Sequence, residues 1–396
     1  MSRSRVTLLH AYSRRNSGDG LLVDISARLI REALGGQAEI TLVASDPQSF
    51  ADFGRVVPAP VIASAGWRRL WTCGATLAAI PTADVRALRR LLGGSDLIVG
   101  VGGGYLRART DIEALKLHAG HMVQLGAAAE SGVPAVYLPQ SIGPALAAFG
   151  PLAAGLSGAL AHHLGGLHRV HVRDGRSLEW LARLGNVRRA PDLAVLALGN
   201  QLASATPDAT PTTVRHVAMV LREAPAWGAA RRQEYRAQTR RLIDLLGREC
   251  RISFAVQSAV RGNDDARYYR SLGIEPAGTL RDLLRNDRPD AVVSVRLHGA
   301  LESVLAGVPA FHLSYERKGF GAYEDLGLPE WVANANDFDP LAVLQTVLAP
   351  GAADAFHRSL RRRTAHHQAA WGELVDTLRH ARDVSGGGHA RRAGPC

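Results

Sequence analysis

Cysteine, lysine and nucleotide-binding glycine motifs are what this 396-residue chain has least of. Cys73, Cys250 and Cys396 are odd in number and widely separated, with no CxxC pair and no histidine spacing suited to zinc. A disulfide framework and a structural zinc site are therefore not expected, and a reducing cytoplasm is the simplest setting. Neither GxxxxGK[ST] nor GxGxxG with an acid about 20 residues on occurs, which argues against a P-loop and against the usual dinucleotide fingerprint. Charge is missing from Ser131 to His168, but Pro134, Pro139, Pro144 and Pro151 interrupt that stretch, and Ala145 to Leu167 is rich in alanine rather than leucine. No transmembrane helix is expected from it. At the N-terminus, VTLLHAY is too short, and too soon followed by Arg14 and Arg15, to be the apolar part of a signal peptide, so no export is implied.

What is present is a 46% hydrophobic chain, long enough for two domains with sizeable cores. The formal charge of +11 comes from arginines scattered among Ala, Gly and Leu, a compositional bias rather than a nucleic-acid surface. The basic surface and the uncharged segment permit peripheral contact with the inner face of the membrane. Lys116 and Lys318 are the only lysines beside 45 arginines. A compact, mobile ammonium differs chemically from a planar guanidinium, so Lys318 is a candidate for a chemical role or a chance survivor.

Short apolar runs alternate with amphipathic stretches, the pattern of repeated strand–helix–strand units with parallel sheets. Strands are expected at Val6 to His10, Ile40 to Ala44, Leu97 to Val101, Ala135 to Leu138 and Arg169 to Val172, with helices at Leu21 to Leu34, Thr82 to Leu92, Ile112 to Glu130 and Gly175 to Leu184. A second series follows a linker at 199–213. Its strands are Val217 to Leu221, Ile252 to Val256, Ala291 to Val295 and Ala310 to Leu313, and its helices Gln233 to Arg248, Leu280 to Leu284 and Gly299 to Leu305. The expected architecture is α/β, with two Rossmann-like doubly wound domains facing each other: an N-terminal domain over 1–198, a C-terminal domain over 214–383 ending in helices, and a disordered tail over 384–396.

Parallel α/β sheets bind ligands beyond the carboxyl ends of their strands, so the loops there carry the candidates. Asn16, Ser17, Gly18, Asp19 and Gly20 follow the first strand and open a helix, either as an anion site or as a capped turn. Gly102, Gly103 and Gly104 allow close approach of a backbone or ligand. Pro139 to Pro144 (PQSIGP) reads as a rigid turn whose Gln140 amide faces a ligand or only the turn itself. Arg173 ends the next strand ahead of Asp174, a helix cap, and Ser177. The densest stretch is VVSVRLHGALESVLAGVPAFHLSYERKGFG, where Arg296, His298 and Gly299 end a strand and Tyr315 and Lys318 lie in the polar loop after the next one. In an extended segment Arg296 and His298 point to the same side. Glu302 either bonds the imidazole or packs that helix face, and Asp264 and Asp265 contact a sugar or start a helix. No acid or histidine cluster has metal-ligand spacing.

In their order these motifs resemble the polysaccharide pyruvyl transferase family of bacterial exopolysaccharide and cell-wall polymer synthesis. They are the Asn16 to Asp19 loop, Gly102 to Gly104, LPQSIGP, Val172 to Ser177 with Asp192, and above all SVRLHG continuing through GVPAFHLSYERKGFG and LGL. The resemblance implies a fold like the GT-B glycosyltransferases with the active site in the interdomain cleft, and phosphoenolpyruvate as donor; no cofactor is expected. It also places Arg173, Arg296 and His298 at the donor site. A phosphate and a carboxylate suit bidentate arginine. Gly299, Lys318 and Tyr315 join them as donor-site candidates. His298 is expected to move a proton or stabilise phosphate, unless it only ties down the turn. Asp19 orients an acceptor hydroxyl or acts as base, and Asn16, Gly18, Gly103, Gly104 and Gln140 are acceptor or loop candidates. The acceptor is a sugar, a lipid-linked oligosaccharide or a polysaccharide. A GT-B glycosyltransferase using a nucleotide sugar and a non-catalytic glycan-binding protein are the competing readings.

Overall fold

A computed structural model of the chain describes residues 3–36, 38–60, 82–108, 110–145, 150–204, 213–223, 227–260 and 263–392. Of the expectations above, Cys73, Cys396, the linker at 205–212 and the tail at 393–396 lie outside these residues. The chain divides into two compact units: one of residues 1–14, 22–193 and 370–396, the other of residues 15–21 and 194–369.

The first unit is built on a parallel sheet. Its strands are β1 (Arg5–Ala11), β2 (Glu39–Ala44), β3 (Arg55–Pro58), β4 (Leu97–Gly100), β5 (Gly103–Ala108), β6 (Ala135–Ala145), β7 (Arg169–Val172) and β8 (Val187–Arg189). They run in the order β3-β2-β1-β4-β6-β7-β8, with β5 beside β6. The apolar runs become central strands because both faces are covered: Val6, Leu8, Leu9, Leu42, Val43, Ile98, Val99, Val136 and Val170 are all buried.

The second unit repeats the plan with β9 (His216–Val220), β10 (Arg251–Val256), a small antiparallel pair β11 (Ala259–Val260) and β12 (Asn263–Asp264), then β13 (Gly278–Thr279), β14 (Ala291–Ser294), β15 (Ala310–Ser314) and β16 (Val332–Asn334). Its parallel sheet runs β13-β10-β9-β14-β15-β16. In each unit the order reverses beside the first strand, at β1/β4 and at β9/β14. These are the switch points where a doubly wound sheet opens a crevice at its carboxyl edge. The two Rossmann-like units of the expected α/β architecture are therefore present.

Several local expectations are corrected. The PQSIGP segment is strand, not turn: β6 continues through Pro139 and Pro144 to Ala145, with a register shift against β7 between Tyr137 and Gln140 that absorbs a residue lacking an N–H. Gly103 and Gly104 begin β5 rather than forming a loop. The helix expected over Ile112 to Glu130 is broken by a π turn at Leu117–His121. The start of the linker is helical, as Leu193–Ser204. The terminal helix, Ala352–Arg392, runs through most of the expected tail. Lys318 lies on the helix Arg317–Leu326, which glycines at 319 and 321 disguise as loop. No helix of the described residues is long and apolar enough to cross a membrane.

Candidate functional site

At the switch point of the second unit, β9 delivers Arg222, β10 delivers Gln257, β14 delivers Arg296 and His298, and β15 delivers Tyr315, Glu316 and Lys318. Arg296 occupies the N-cap of the helix Leu297–Leu305, so His298 already sits in the first helical turn. The same-side argument for an extended segment does not apply. Ser294 shapes the corner, its hydroxyl donating to the Arg296 carbonyl (2.8 Å) and accepting from the Arg296 N–H (3.1 Å).

The Arg296 side chain is buried and gripped by Asp265. Its Nε lies 2.9 Å from both carboxylate oxygens, Nη2 bonds Oδ1, and Nη2 also donates to the carbonyl and side-chain oxygens of Asn263 (3.1 and 3.2 Å). Nη1 bonds no described residue. Asp265 is fully buried and accepts the N–H groups of Gln257 and Ser258 as well (3.0 Å each). Asp264, not Asp265, caps the following helix. An arginine held so firmly on one edge presents only its other edge, which orients it at a cost in free positive charge.

Arg222 was missed in the sequence, although it follows a strand end directly. Its side chain makes one hydrogen bond to a described residue, the Glu223 carbonyl (3.1 Å), and its guanidinium carbon lies 5.4 Å from the centre of the Tyr315 ring. Burial lowers its pKa below the ordinary arginine value, and the nearby charge of Arg296 adds to this. Tyr315 also meets the Trp227 ring edge-on. Lys318 pairs with Glu316 at 3.1 Å. Behind them His312, buried, bonds the Ser294 carbonyl through Nδ1 (2.8 Å); burial pushes its pKa down to about 4, and the charges of Lys318 and His298 push the same way.

The Asn16 to Asp19 segment, which enters the first turn of the helix Ser17–Leu34 and is not a loop ahead of a helix starting at Leu21, belongs to this unit. Ser17 N–H bonds the Gln257 carbonyl (3.1 Å), Asn16 bridges to Ser258, and Asn16 Nδ2 donates to Asp19 Oδ2 (2.9 Å). Gly18 is dictated by His298, since a Cβ there would fall 2.7 Å from the histidine Cβ and 3.0 Å from Nδ1. Gly299 is dictated by packing, as its Cβ would meet the Ser294 hydroxyl at 2.8 Å and Gln257 at 3.3 Å. Glu302 does not bond the imidazole; it accepts from Ser17 Oγ and Arg281 Nε, each at 3.0 Å. The structure thus brings Asn16, Gly18, Asp19, Arg296, His298 and Gly299 together in one unit, joined at β9 and β15 by Arg222, Tyr315 and Lys318.

Arg173, Gly103, Gly104 and Gln140 belong to the other unit. Arg173 is buried at the end of β7, its Nε donating to Ser141 Oγ (3.0 Å) and its Nη1 paired with Asp192. Nη2 lies 3.4 Å from where a Cβ on Gly104 would be. Gln140 donates to the Val101 carbonyl (2.8 Å), while its buried Oε1 has no partner among the described residues. Asp174 caps the helix Gly175–Trp180 as expected, accepting from the Ser177 N–H and hydroxyl (2.9 Å each). Among the described residues no group of three or more His, Cys, Asp or Glu is arranged to hold a metal ion.

The fold is similar to that of S. aureus MnaA solved with UDP (TM-score 0.52, 11% identity, 96% of each chain covered). It is equally similar to UDP-N-acetylglucosamine 2-epimerase from Rickettsia bellii (TM-score 0.52, 11% identity, 97% and 98% covered). The glycotransferase of kitacinnamycin is a further likeness (TM-score 0.50, 12% identity, 96% and 100% covered). At such identities these likenesses concern the fold alone. No curated protein sequence matches the chain. The model of one family, polysaccharide pyruvyl transferase, matches residues 16–317, a span that takes in the Asn16 to Asp19 segment, β5, Arg173, Arg296 and His298, and the chain belongs to that family.

Proposed function

We propose that the protein transfers a pyruvyl group from phosphoenolpyruvate to two hydroxyls of a sugar acceptor, forming a ketal and releasing phosphate. The observation that carries this reading is the cationic corner at the β9/β14 switch point, where Arg222, Arg296, His298 and Lys318 converge inside a chain of the pyruvyl transferase family. The donor carries a phosphate and a carboxylate. The outer edge of Arg296, held by Asp265, meets one of them, and the partly buried Arg222 beside Tyr315 meets the other.

In the reaction, one sugar hydroxyl adds to C2 of the enolpyruvyl group as C3 takes a proton and becomes a methyl. The C2–O bond to phosphate then breaks, the second hydroxyl closes on C2 and gives up its proton, and inorganic phosphate leaves. His298, an imidazole with two ring nitrogens, is suited to accept a proton on one and donate from the other. Cations around the departing phosphate stabilise its growing charge. Asp19, tied to Asn16, orients an acceptor hydroxyl or takes its proton.

The test is phosphate release from phosphoenolpyruvate in the presence of candidate acceptors. Release that depends on an acceptor and vanishes in His298→Ala, with donor affinity retained, supports the reading. Transfer from a nucleotide sugar without use of phosphoenolpyruvate would replace it with glycosyl transfer.

A further inference from the structure

The switch point of the first unit, between β1 and β4, holds a chain of aromatic polar groups that the reaction above does not use. His10, near the end of β1, is the only non-glycine residue with positive φ (71°) among the described residues, and the pairing of β1 with β2 shifts register just there. Such a backbone is sparsely populated outside glycine and persists only where surrounding contacts enforce it. Here they aim the ring inward: the His10 N–H donates to Gln124 Oε1 (3.0 Å), Nε2 lies 2.7 Å from the Tyr137 hydroxyl, and Nδ1 lies 3.1 Å from Nδ1 of His121. His121 closes the π turn that interrupts the helix, a kind of irregularity often found at functional sites.

The glycines of this corner serve the same rings. A Cβ on Gly100 would strike the Tyr137 ring at 2.7 Å. Gly103, at φ 150°, leaves the space that the Tyr105 ring fills, where a Cβ would come within 2.5 Å. Tyr105 in turn stacks on His121, with centroids 5.3 Å apart and planes 24° from parallel.

The hydrogen bonds fix a direction. Tyr137 and His10 are fully buried, and the Tyr137 hydroxyl has no partner but His10 among the described residues. If His10 donated from Nε2, the tyrosine O–H would be left buried without an acceptor, at the full desolvation cost of that group. The favoured arrangement therefore has Tyr137 donating to His10 Nε2 and His10 Nδ1–H donating to His121 Nδ1. His121 must then carry its proton on Nε2, which bonds no described residue. Burial holds His10 well below the ordinary histidine pKa, with the charge of His121 adding to it, and burial brings His121 down to about 4, so both rings are neutral near pH 7.

We propose that Tyr137 and His10 are positioning residues that lock the tautomer of His121, and that His121 Nε2–H, beside the half-buried Tyr105, is a subsite for a hydroxyl or ring oxygen of the sugar acceptor. A neutral donor has no coulombic preference for phosphate, whereas an N–H next to an aromatic face suits a pyranoside. That the ligand is a sugar rests on the transfer reading above; the tautomer does not.

Histidine-ring 15N spectra of the full chain test the proposal, with His121 assigned by its loss in His121→Gln. The wild type is expected to show His121 protonated on Nε2 and His10 on Nδ1, and Tyr137→Phe to return His121 to a tautomer mixture. Titration with the methyl glycosides of glucose, galactose and mannose is expected to shift the His121 Nε2 signal saturably for at least one of them, and more weakly in Tyr137→Phe. In turnover, His121→Phe is expected to raise the acceptor KM about tenfold with the phosphoenolpyruvate KM unchanged, and His121→Gln to recover part of it. Protonation of wild-type His121 on Nδ1, a tautomer indifferent to Tyr137→Phe, or a signal unmoved by all three glycosides would overturn the proposal. Failure of phosphate release would remove the transfer reading while these spectra still report on the relay.

Discussion

Gly18 and His298 are 280 residues apart in the chain, yet the space one leaves is the space the other fills. Gly18→Ala is therefore expected to displace His298 and lower phosphate release more than tenfold, at a cost in stability of about 1–3 kcal/mol because the clash falls on the histidine Cβ. Phosphate release by the folded fraction of the variant at the wild-type rate would mean that the glycine serves folding only. Asp265→Ala should behave differently, stranding a buried guanidinium and two backbone N–H groups at a cost of about 3–5 kcal/mol, measurable by denaturant unfolding. His298 and the Asn16 to Asp19 segment were legible as residues because polar groups after an apolar run stand out. Arg222 and the grip of Asp265 on Arg296 were not, since one arginine among 45 carries no mark and a pair 31 residues apart exists only after folding.

Central strands were the most legible elements, because residues buried on both faces leave uninterrupted apolar runs such as Val217 to Leu221. The glycine-led β5 and the proline-containing extension of β6 were hidden, each being held by the neighbouring strand rather than by its own propensity. The helix Arg317–Leu326 was hidden for a similar reason, and its packing makes a prediction. A Cβ on Gly319 would come within 2.1 Å of the Ser314 hydroxyl and 2.4 Å of His312 Nε2. Gly319→Ala should force this helix and Lys318 away from β15, destabilise the fold by about 1–3 kcal/mol and weaken donor affinity. Unchanged donor affinity in a destabilised variant would remove Lys318 from the donor site.

For the whole molecule, alternation of strand and helix patterns was enough to indicate two Rossmann-like units, whereas the assignment of residues 15–21 to the second unit and of 370–396 to the first depends on tertiary contacts that no local pattern encodes. Burial also sets the acid limit. His121, His171 and His312 are each pushed down to about 4 by burial, and His10 is lowered too. The unfolded chain takes up these protons near the ordinary value of 6.5 and the folded chain does not, so stability is full above that pH and falls as pH drops toward 4. Denaturant midpoints at pH 7.5 and 5 should differ clearly; equal midpoints would show that these rings are not neutral in the fold. The central claim is that phosphoenolpyruvate binds at the β9/β14 switch point, and its most direct test is calorimetric titration of phosphoenolpyruvate into wild type and Arg296→Lys, which keeps the charge but loses the planar fork. Saturable binding by the wild type, weakened at least tenfold in the variant, is the expected result. No binding by a folded wild type, or equal binding by both proteins, would contradict it.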